Sequence, residues 1–464
     1  MADTIITPLV GAEKGLDTLR ADTVRLDRVD RYLRGDHDGP YTPRSATEEY
    51  KLLAKRAVSN WLPLLVKTPA QALAVEGFRR SGATDAEPPA EWLAWQAERM
   101  DARQAQIHRA ALAFGQSWVT VLPHPADPRR PVIRGVSPRR MIAFYDDPAA
   151  DAHPLWALRV DSVPQSTDTA VLGWFYDATG VTSLSIGGKE GTRVRGFTPH
   201  NLGVCPVVRF APDIDLEGRV TGVIEGVIPL QDRINQSVFD LLVSQTFGAF
   251  KVRTISGMAP EIVRDPETGE PVYDSATGRP KVLPIQADAS RFLVAPDPDT
   301  KFQQLDETPL EGYIAAIELA VRQLAAVSQV PGQHLLNGTV ANMSAEGLGA
   351  AEAAMFRAID EWQHSFGESW ELVLGLCAQV LGIESDPRGQ VTWKDAESRS
   401  LSQTVDALGK MVQMLGVPVR GVWGRIPGVT ATDEEHWAQM QAEDDPAMRL
   451  ADSLAKVPVP AGAA

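Results

Sequence analysis

The stretch PLEGYIAAIELAVRQLAAVSQVPGQHLLNGTVANMSAEGLGAAEAAMFRAIDEWQHSFGESWELVLGLCAQVL, residues 309–381, decides the fold. Leu310, Ile314, Ile317, Val321 and Leu324 recur at helical steps, which predicts a helix over 308–328 with a narrow apolar stripe. Pro331 and Gly332 end it. Residues 331–345 carry no formal charge and form a connection longer than the usual helix–helix link. From Glu346 to about Leu381, Leu348, Ala351, Met355, Ile359, Trp362, Phe366, Trp370, Val373 and Cys377 keep steps of three and four. A helix of that length spans about 50 Å.

Working upstream, a second helix is predicted from about Thr221. Pro229 sits in its first turns, Leu230, Ile234, Val238 and Leu241 form its stripe, and Gly248 stops it. Between the two helices, residues 250–305 are rich in Pro and Gly and read as strands. Asp265-Pro-Glu-Thr-Gly-Glu-Pro and Asp274-Ser-Ala-Thr-Gly-Arg-Pro form a small internal repeat that predicts a hairpin or ribbon. Further upstream, Trp118–Leu122, Met141–Tyr145, Leu155–Val163, Thr169–Tyr176 and Val181–Ile186 read as antiparallel strands. Residues 12–35, 46–80 and 90–115 read as helices, the second broken by Pro63 and Pro69. Downstream, 398–416 and 432–444 read as shorter helices, and the tail LAKVPVPAGAA as frayed. The fold class expected is α+β.

The 464 residues carry 45 Lys+Arg against 60 Asp+Glu, a formal charge of -15, and 44% are hydrophobic. A chain of this composition buries a core and is not disordered. Its acidity, with a pI near 5.1, argues against tight nucleic-acid binding, which needs clustered Lys and Arg. Charged residues interrupt the first 30 positions, unlike a signal peptide, and no apolar run is long enough to span a membrane. Two cysteines, Cys205 and Cys377, make no disulfide framework, and the simplest compartment is a reducing one.

The search for chemistry returns little. The Gly188-Lys189 and Gly409-Lys410 pairs lack the rest of a phosphate-binding loop. The eight histidines are too scattered to pair on a helix as metal ligands. Asp146-Asp147 before Pro148, and Asp265, Glu267 and Asp274, are read as turn residues rather than metal ligands. Cys205 and Cys377 are read as buried apolar groups, and Trp362, Phe366 and Trp370 as core. No catalytic residue, metal or cofactor is expected.

The order of elements, and the wording of several stretches, resembles the portal proteins of tailed bacteriophages, in the branch of long-tailed actinobacterial phages. GVIEGVIPLQDRINQSVFDLLVSQTFGAFKVR (222–253) resembles that family's first stem helix and the entry to its clip. VSQVPGQHLLNGTVANMSAEGLGAAEAAM (327–355) resembles its tunnel loop and the start of its long helix, and FGESWELVLGL (366–376) the later part of that helix. NWLPLLVKTPAQALAVEGFR (60–79) resembles its wing. The resemblance covers most of residues 45–380. It implies an N-terminal wing of helices and antiparallel strands (1–228), stem helix 1 (229–248), a β-containing clip (249–305) and stem helix 2 (306–329). A tunnel loop (330–345), a long wing helix (346–397) and a C-terminal crown-like helical region (398–464) complete it. It also implies a ring, typically of twelve subunits, at one capsid vertex of the virion, assembled in the host cytoplasm. Double-stranded DNA passes through it in packaging and ejection. The implied partners are the terminase packaging motor, a head-completion adaptor, and the major capsid and scaffold proteins, with no membrane.

Two physical expectations accompany the resemblance. A DNA conduit must not hold DNA, and lysines or arginines lining it would. Both stem helices are acidic instead, so Asp232, Asp240, Glu311 and Glu318 are candidates to line the channel. The tunnel loop offers Gln333, His334, Asn337, Thr339, Asn342 and Ser344, polar groups that contact phosphates without strong attraction. The rival readings are a capsid or tail component without a channel, and a hydrolase using Asp146, Asp147 and Asp161 as a nonlocal acidic site.

Overall fold

The computed structural model describes residues 6–42, 47–81, 88–164, 169–248, 253–256, 262–275, 277–281, 301–304, 309–336, 345–394, 401–426, 429 and 431–444. The chain opens with α1 (Pro8–Leu33), α2 (Glu48–Arg56), α3 (Leu62–Ala70), β1 (Val75–Arg79), α4 (Ala90–Ala97) and α5 (Met100–Phe114). A strand region follows: β2 (Ser117–His124), β3 (Asp127–Val136), β4 (Met141–Phe144), β5 (Trp156–Val160), β6 (Val171–Tyr176), β7 (Gly180–Ile186), β8 (Arg193–Pro199) and β9 (Val207–Phe210). A 3-10 turn, Glu225–Val227, leads into α6 (Ile228–Gly248), then β10 (Arg253–Ser256), β11 (Lys301–Gln304) and α7 (Glu311–Ser328). After a second such turn, Gly332–His334, come α8 (Ala345–Leu381), β12 (Gln390–Trp393), α9 (Leu401–Leu415), a third turn, Val419–Arg425, and α10 (Ala431–Asp444).

The long stripe of α8 organises the main core. Its Met355, Ile359, Phe366, Trp370, Val373 and Cys377 are buried with Trp95 of α4, Ile107 and Leu112 of α5, and Val119 and Val121 of β2. In the helix, residues three and four apart share a face, so one apolar stripe meets helices and a sheet together. The sheet β3-β2-β9 is antiparallel, and so is the consecutive meander β4-β5-β6-β7-β8. The meander packs under the first half of α1, where Ala12, Leu16 and Leu19 meet Trp156, Leu158, Phe175, Leu184 and Ile186. The second half of α1, through Leu26, Val29 and Tyr32, belongs to the main core. Gly11 and Gly15 permit the close approach: a Cβ would lie 2.5 Å from the Phe175 ring and 2.9 Å from the Leu158 side chain, respectively.

Several expectations need correction. The end of the 46–80 stretch is not helical. Val75–Arg79 is a strand paired with β12, from the far end of the chain, and a local reading does not see that partner. The 90–115 helix is two helices, broken where Arg99 takes a left-handed conformation with φ 56°. β3, β8, β9 and β12 are further strands that the sequence pattern does not announce: Arg, Pro and Gly dilute β3 and β8, while β9 and β12 are only four residues each and are decided by pairing. The Thr-Gly repeat does reverse the chain twice, with Gly269 at φ 70° and Gly278 at φ 62°. Val263, Val272 and Lys281 then close a ring of backbone bonds: Val272 N–H donates to Val263 O at 2.9 Å, Lys281 to Val272 at 2.7 Å, and Val263 to Lys281 at 2.8 Å.

Candidate functional site

The helices predicted as a pair do pack on each other. Pro229 stands at the start of α6, where its missing N–H costs nothing. On α7, Ala320, Val321, Leu324 and Ala325 are buried, whereas Ile314 higher on the same stripe is 47% exposed. Arg233 of α6 donates to Gln323 of α7 at 2.9 Å.

The foot of α6 is pinned by a buried polar network. Gln231 accepts from Trp61 N–H at 3.1 Å and donates to Ser59 O at 2.7 Å and to Asn235 Oδ1 at 3.0 Å. Asn235 Oδ1 also accepts from Ser59 N–H at 3.2 Å, and its Nδ2 donates to His37 Nδ1 at 2.8 Å. With Nδ1 accepting, His37 Nε2 carries the proton and donates to Tyr32 O at 2.9 Å. Gln231 and Asn235 are almost wholly buried, so each bond replaces one to water. Asn235→Leu leaves His37 Nδ1 and Ser59 N–H without partners and is expected to cost about 2–3 kcal/mol. Urea unfolding measures this, and an unchanged midpoint would count against the network's role.

The structure turns Asp232 toward α1. It accepts from the Tyr32 hydroxyl at 2.7 Å and lies 3.8 Å from the Arg28 guanidinium. Burial, then the bond to Asp232, pushes the Tyr32 hydroxyl up to about 12. Glu225 is likewise held by Arg25 at 2.9 Å, and Glu318 by Arg322 at 3.2 Å. Asp240 accepts from Gln236 at 3.0 Å and Glu311 lies exposed in the first turn of α7. Neither of these two has a cationic partner among the described residues. The sequence could not show that Asp232 and Glu225 are neutralised by α1, since those partners lie some two hundred positions away.

After α7, Pro331 is buried and the turn Gly332–His334 rests on α8. Gln333 Nε2 donates to Glu352 Oε1 at 3.1 Å, and His334 Nε2 lies 3.5 Å from the same oxygen. Glu352 is thus the anchor of this turn, a residue the sequence reading did not single out. Asn337, Thr339, Asn342 and Ser344 lie outside the described residues.

Two of the remaining acidic candidates form turns. Asp147 Oδ1 accepts from Ala149 N–H at 2.9 Å, and Asp265 Oδ1 from Glu267 N–H at 2.8 Å, both as turn-forming bonds. Burial pushes the Cys205 and Cys377 thiols well above their ordinary range, which keeps them protonated. Among the described residues no group of His, Cys, Asp and Glu is placed to hold a metal ion, and no helix is long and apolar enough to cross a membrane.

Comparison with known proteins completes the picture. A family profile described as "Phage portal protein, SPP1 Gp6-like" matches residues 16–449. The portal protein of Mycobacterium phage D29 is 28% identical over 372 residues, covering 75% of this chain and 71% of the relative. The portal protein of Mycobacterium phage L5 is 26% identical over 370 residues, with the same shares. A solved chain described as "Neck of empty GTA particle computed with C6 symmetry" aligns with a TM-score of 0.42 at 15% identity, covering 84% of this chain and 95% of that chain. The chain belongs to the phage portal protein family, a family of structural proteins rather than enzymes.

Proposed function

We propose that copies of this chain form a closed ring, of twelve by the expectation above, at one vertex of a capsid, and that double-stranded DNA enters and leaves through its axis. The packaging motor, and later the head-completion adaptor, dock on the clip of residues 249–305; the wing meets the capsid and scaffold proteins.

The observation that carries this reading is the second face of α7. Ala315, Ala316, Leu319, Ala326 and Val327 are exposed, with Leu319 at 57% and Val327 at 63%. A helix that is apolar on its buried side and again on its solvent side is built for neighbours on both sides. In a ring each copy meets its two neighbours through two different faces, and this uncovered face of α7 can serve as one of them.

The electrostatics suit a passing polyanion. Twelve chains of -15 would carry -180, a field that repels DNA at close range and is softened by screening beyond about 8–10 Å. Among the described residues, Asp240 and Glu311 are stem carboxylates without a cationic partner and have charge to spare for the lumen; Asp232 and Glu318 contribute less, being paired within the chain. The tunnel loop offers uncharged contacts, with Glu352 fixing where it leaves α7.

Light scattering on the purified chain, with negative-stain images, tests the ring. A particle of many subunits with an axial hole wide enough for a duplex is expected; monomers or solid discs would sink the proposal. Gln333, Asn337 and Asn342 replaced by Lys should leave assembly intact but impair packaging, because each added cation gains affinity for phosphate. Normal packaging by that triple variant would remove the loop from the DNA path.

A further inference from the structure

We propose that an arginine-rich surface formed by the α4–α5 junction and the β2–β3 hairpin is an intersubunit contact that docks carboxylates of a second copy of this chain. The inference rests on the ring reading and gives it a directional surface.

Charge along the chain is strongly uneven. From Glu98 to Arg140 there are eight arginines, no lysine and three carboxylates, a net of +5. The whole chain is -15, which leaves -20 for everything else. The fold gathers part of this excess at one place. Arg130 of β3 lies 3.0 Å from Glu98, and Arg103 of α5 lies 3.9 Å from the same carboxylate. Arg103 also donates to Glu98 O at 3.2 Å. Glu98 is only 11% exposed, so two guanidiniums already share one partly covered carboxylate. Arg99, next to Glu98, and Arg129, next to Arg130, are exposed and have no ion-pair partner among the described residues.

Arg99 also stands in a left-handed conformation, φ 56°, between α4 and α5. Glycine would take that conformation without strain, so the turn by itself gives no reason for a long cation there.

The partner chemistry follows from magnitudes. Strong sequence-independent DNA binding draws on about six to ten phosphate contacts. Four arginines, two of them already paired, in a chain that elsewhere carries -20, are a poor match for a polyanion. The same -20 supplies the next copy with carboxylates. A ring joins two different faces of the subunit, so a basic face on one side can meet an acidic face on the other at every interface. Each exposed pair gives little, roughly 0–1 kcal/mol. Their value is in orientation: a head-to-tail approach is favoured and a like-face approach is opposed.

The test uses the full chain with Arg99→Glu and Arg129→Glu together, which leaves the Glu98 pairs untouched, and Arg99→Gln with Arg129→Gln as a neutral control. Assembly is followed by native mass spectrometry and light scattering at about 50 and 500 mM NaCl, where screening lengths differ severalfold. The glutamate variant should need about tenfold more protein to assemble at low salt, the glutamine variant less, and high salt should narrow the gap. Circular dichroism and the unfolding midpoint should match the wild type. Variants that assemble like the wild type at both salts overturn this inference alone. A wild-type chain that remains monomeric overturns it together with the ring. Loss of binding to a short DNA duplex, with assembly unchanged, would assign the patch to phosphate and also overturn it.

Discussion

Trp370→Ala is expected to leave almost no folded chain. Trp370 is fully buried on α8, with ring centroids 4.6 Å from Trp95 and 4.5 Å from Phe210, and its indole N–H donates to His108 Nε2 at 2.9 Å. Truncating a buried tryptophan costs about 3–5 kcal/mol through lost burial and the cavity left behind. Stranding the His108 acceptor adds about 1–3 kcal/mol. The total approaches the whole stability of a typical domain, about 5–15 kcal/mol. Trp370→Phe keeps most of the ring contacts, loses the hydrogen bond, and should remain soluble at a cost of about 1–3 kcal/mol. Soluble yield and urea unfolding distinguish the two. A stable alanine variant would mean that α8 does not organise the core.

The second large effect is a pH dependence centred on His108. This histidine is wholly buried, stacked at 5.1 Å on Phe366, with Nδ1–H donating to Leu73 O at 3.1 Å and Nε2 accepting from Trp370. Burial pulls its pKa down from 6.5 to about 4, with the Leu73 bond opposing weakly. The folded chain therefore stays neutral at this site while the unfolded chain takes up a proton. Stability is fully present above about pH 6.5 and is lost as pH falls toward 4, by about 3 kcal/mol in all and about 2 kcal/mol by pH 5. His108→Gln costs stability at pH 7.5 but removes this proton uptake, so the gap between variant and wild type should shrink on acidification. Unfolding free energies with parallel pH slopes for the two proteins would refute the assignment.

Both effects lie on residues whose sequence signal differed in strength. The stripe from Met355 to Cys377 was legible because a helix repeats its face every three to four residues, and no other element of the chain keeps that period so long. His108 gave no such signal. Its role exists only because α5 and α8 bring it against Trp370, far away in the chain. The same contrast separates α7 from β1. The α7 stripe announces a helix without help, whereas Val75–Arg79 becomes a strand only once Gln390–Trp393 arrives beside it.

The candidate site divides in the same way. The acidic bias of the two helices and the missing charge of the loop are properties of composition. Which acid keeps its charge free is a property of contact: Arg25 takes Glu225, Tyr32 and Arg28 take Asp232, Arg322 takes Glu318, and among the described residues Asp240 and Glu311 have no cationic partner. Glu352 was invisible as an anchor because its interest lies in Gln333 and His334 folding back onto it.

By itself the sequence determined the α+β class, the two helices around a strand-rich insertion, the long helix after an uncharged loop, and the family. All of these follow from short-range periodicity, turn residues and wording. Only the tertiary structure decided the pairing of β1 with β12, the burial of His108, the neutralising partners of the stem acids and the gathering of arginines around Glu98. Each of these is a contact between distant positions, and its energy depends on what the fold removes from water.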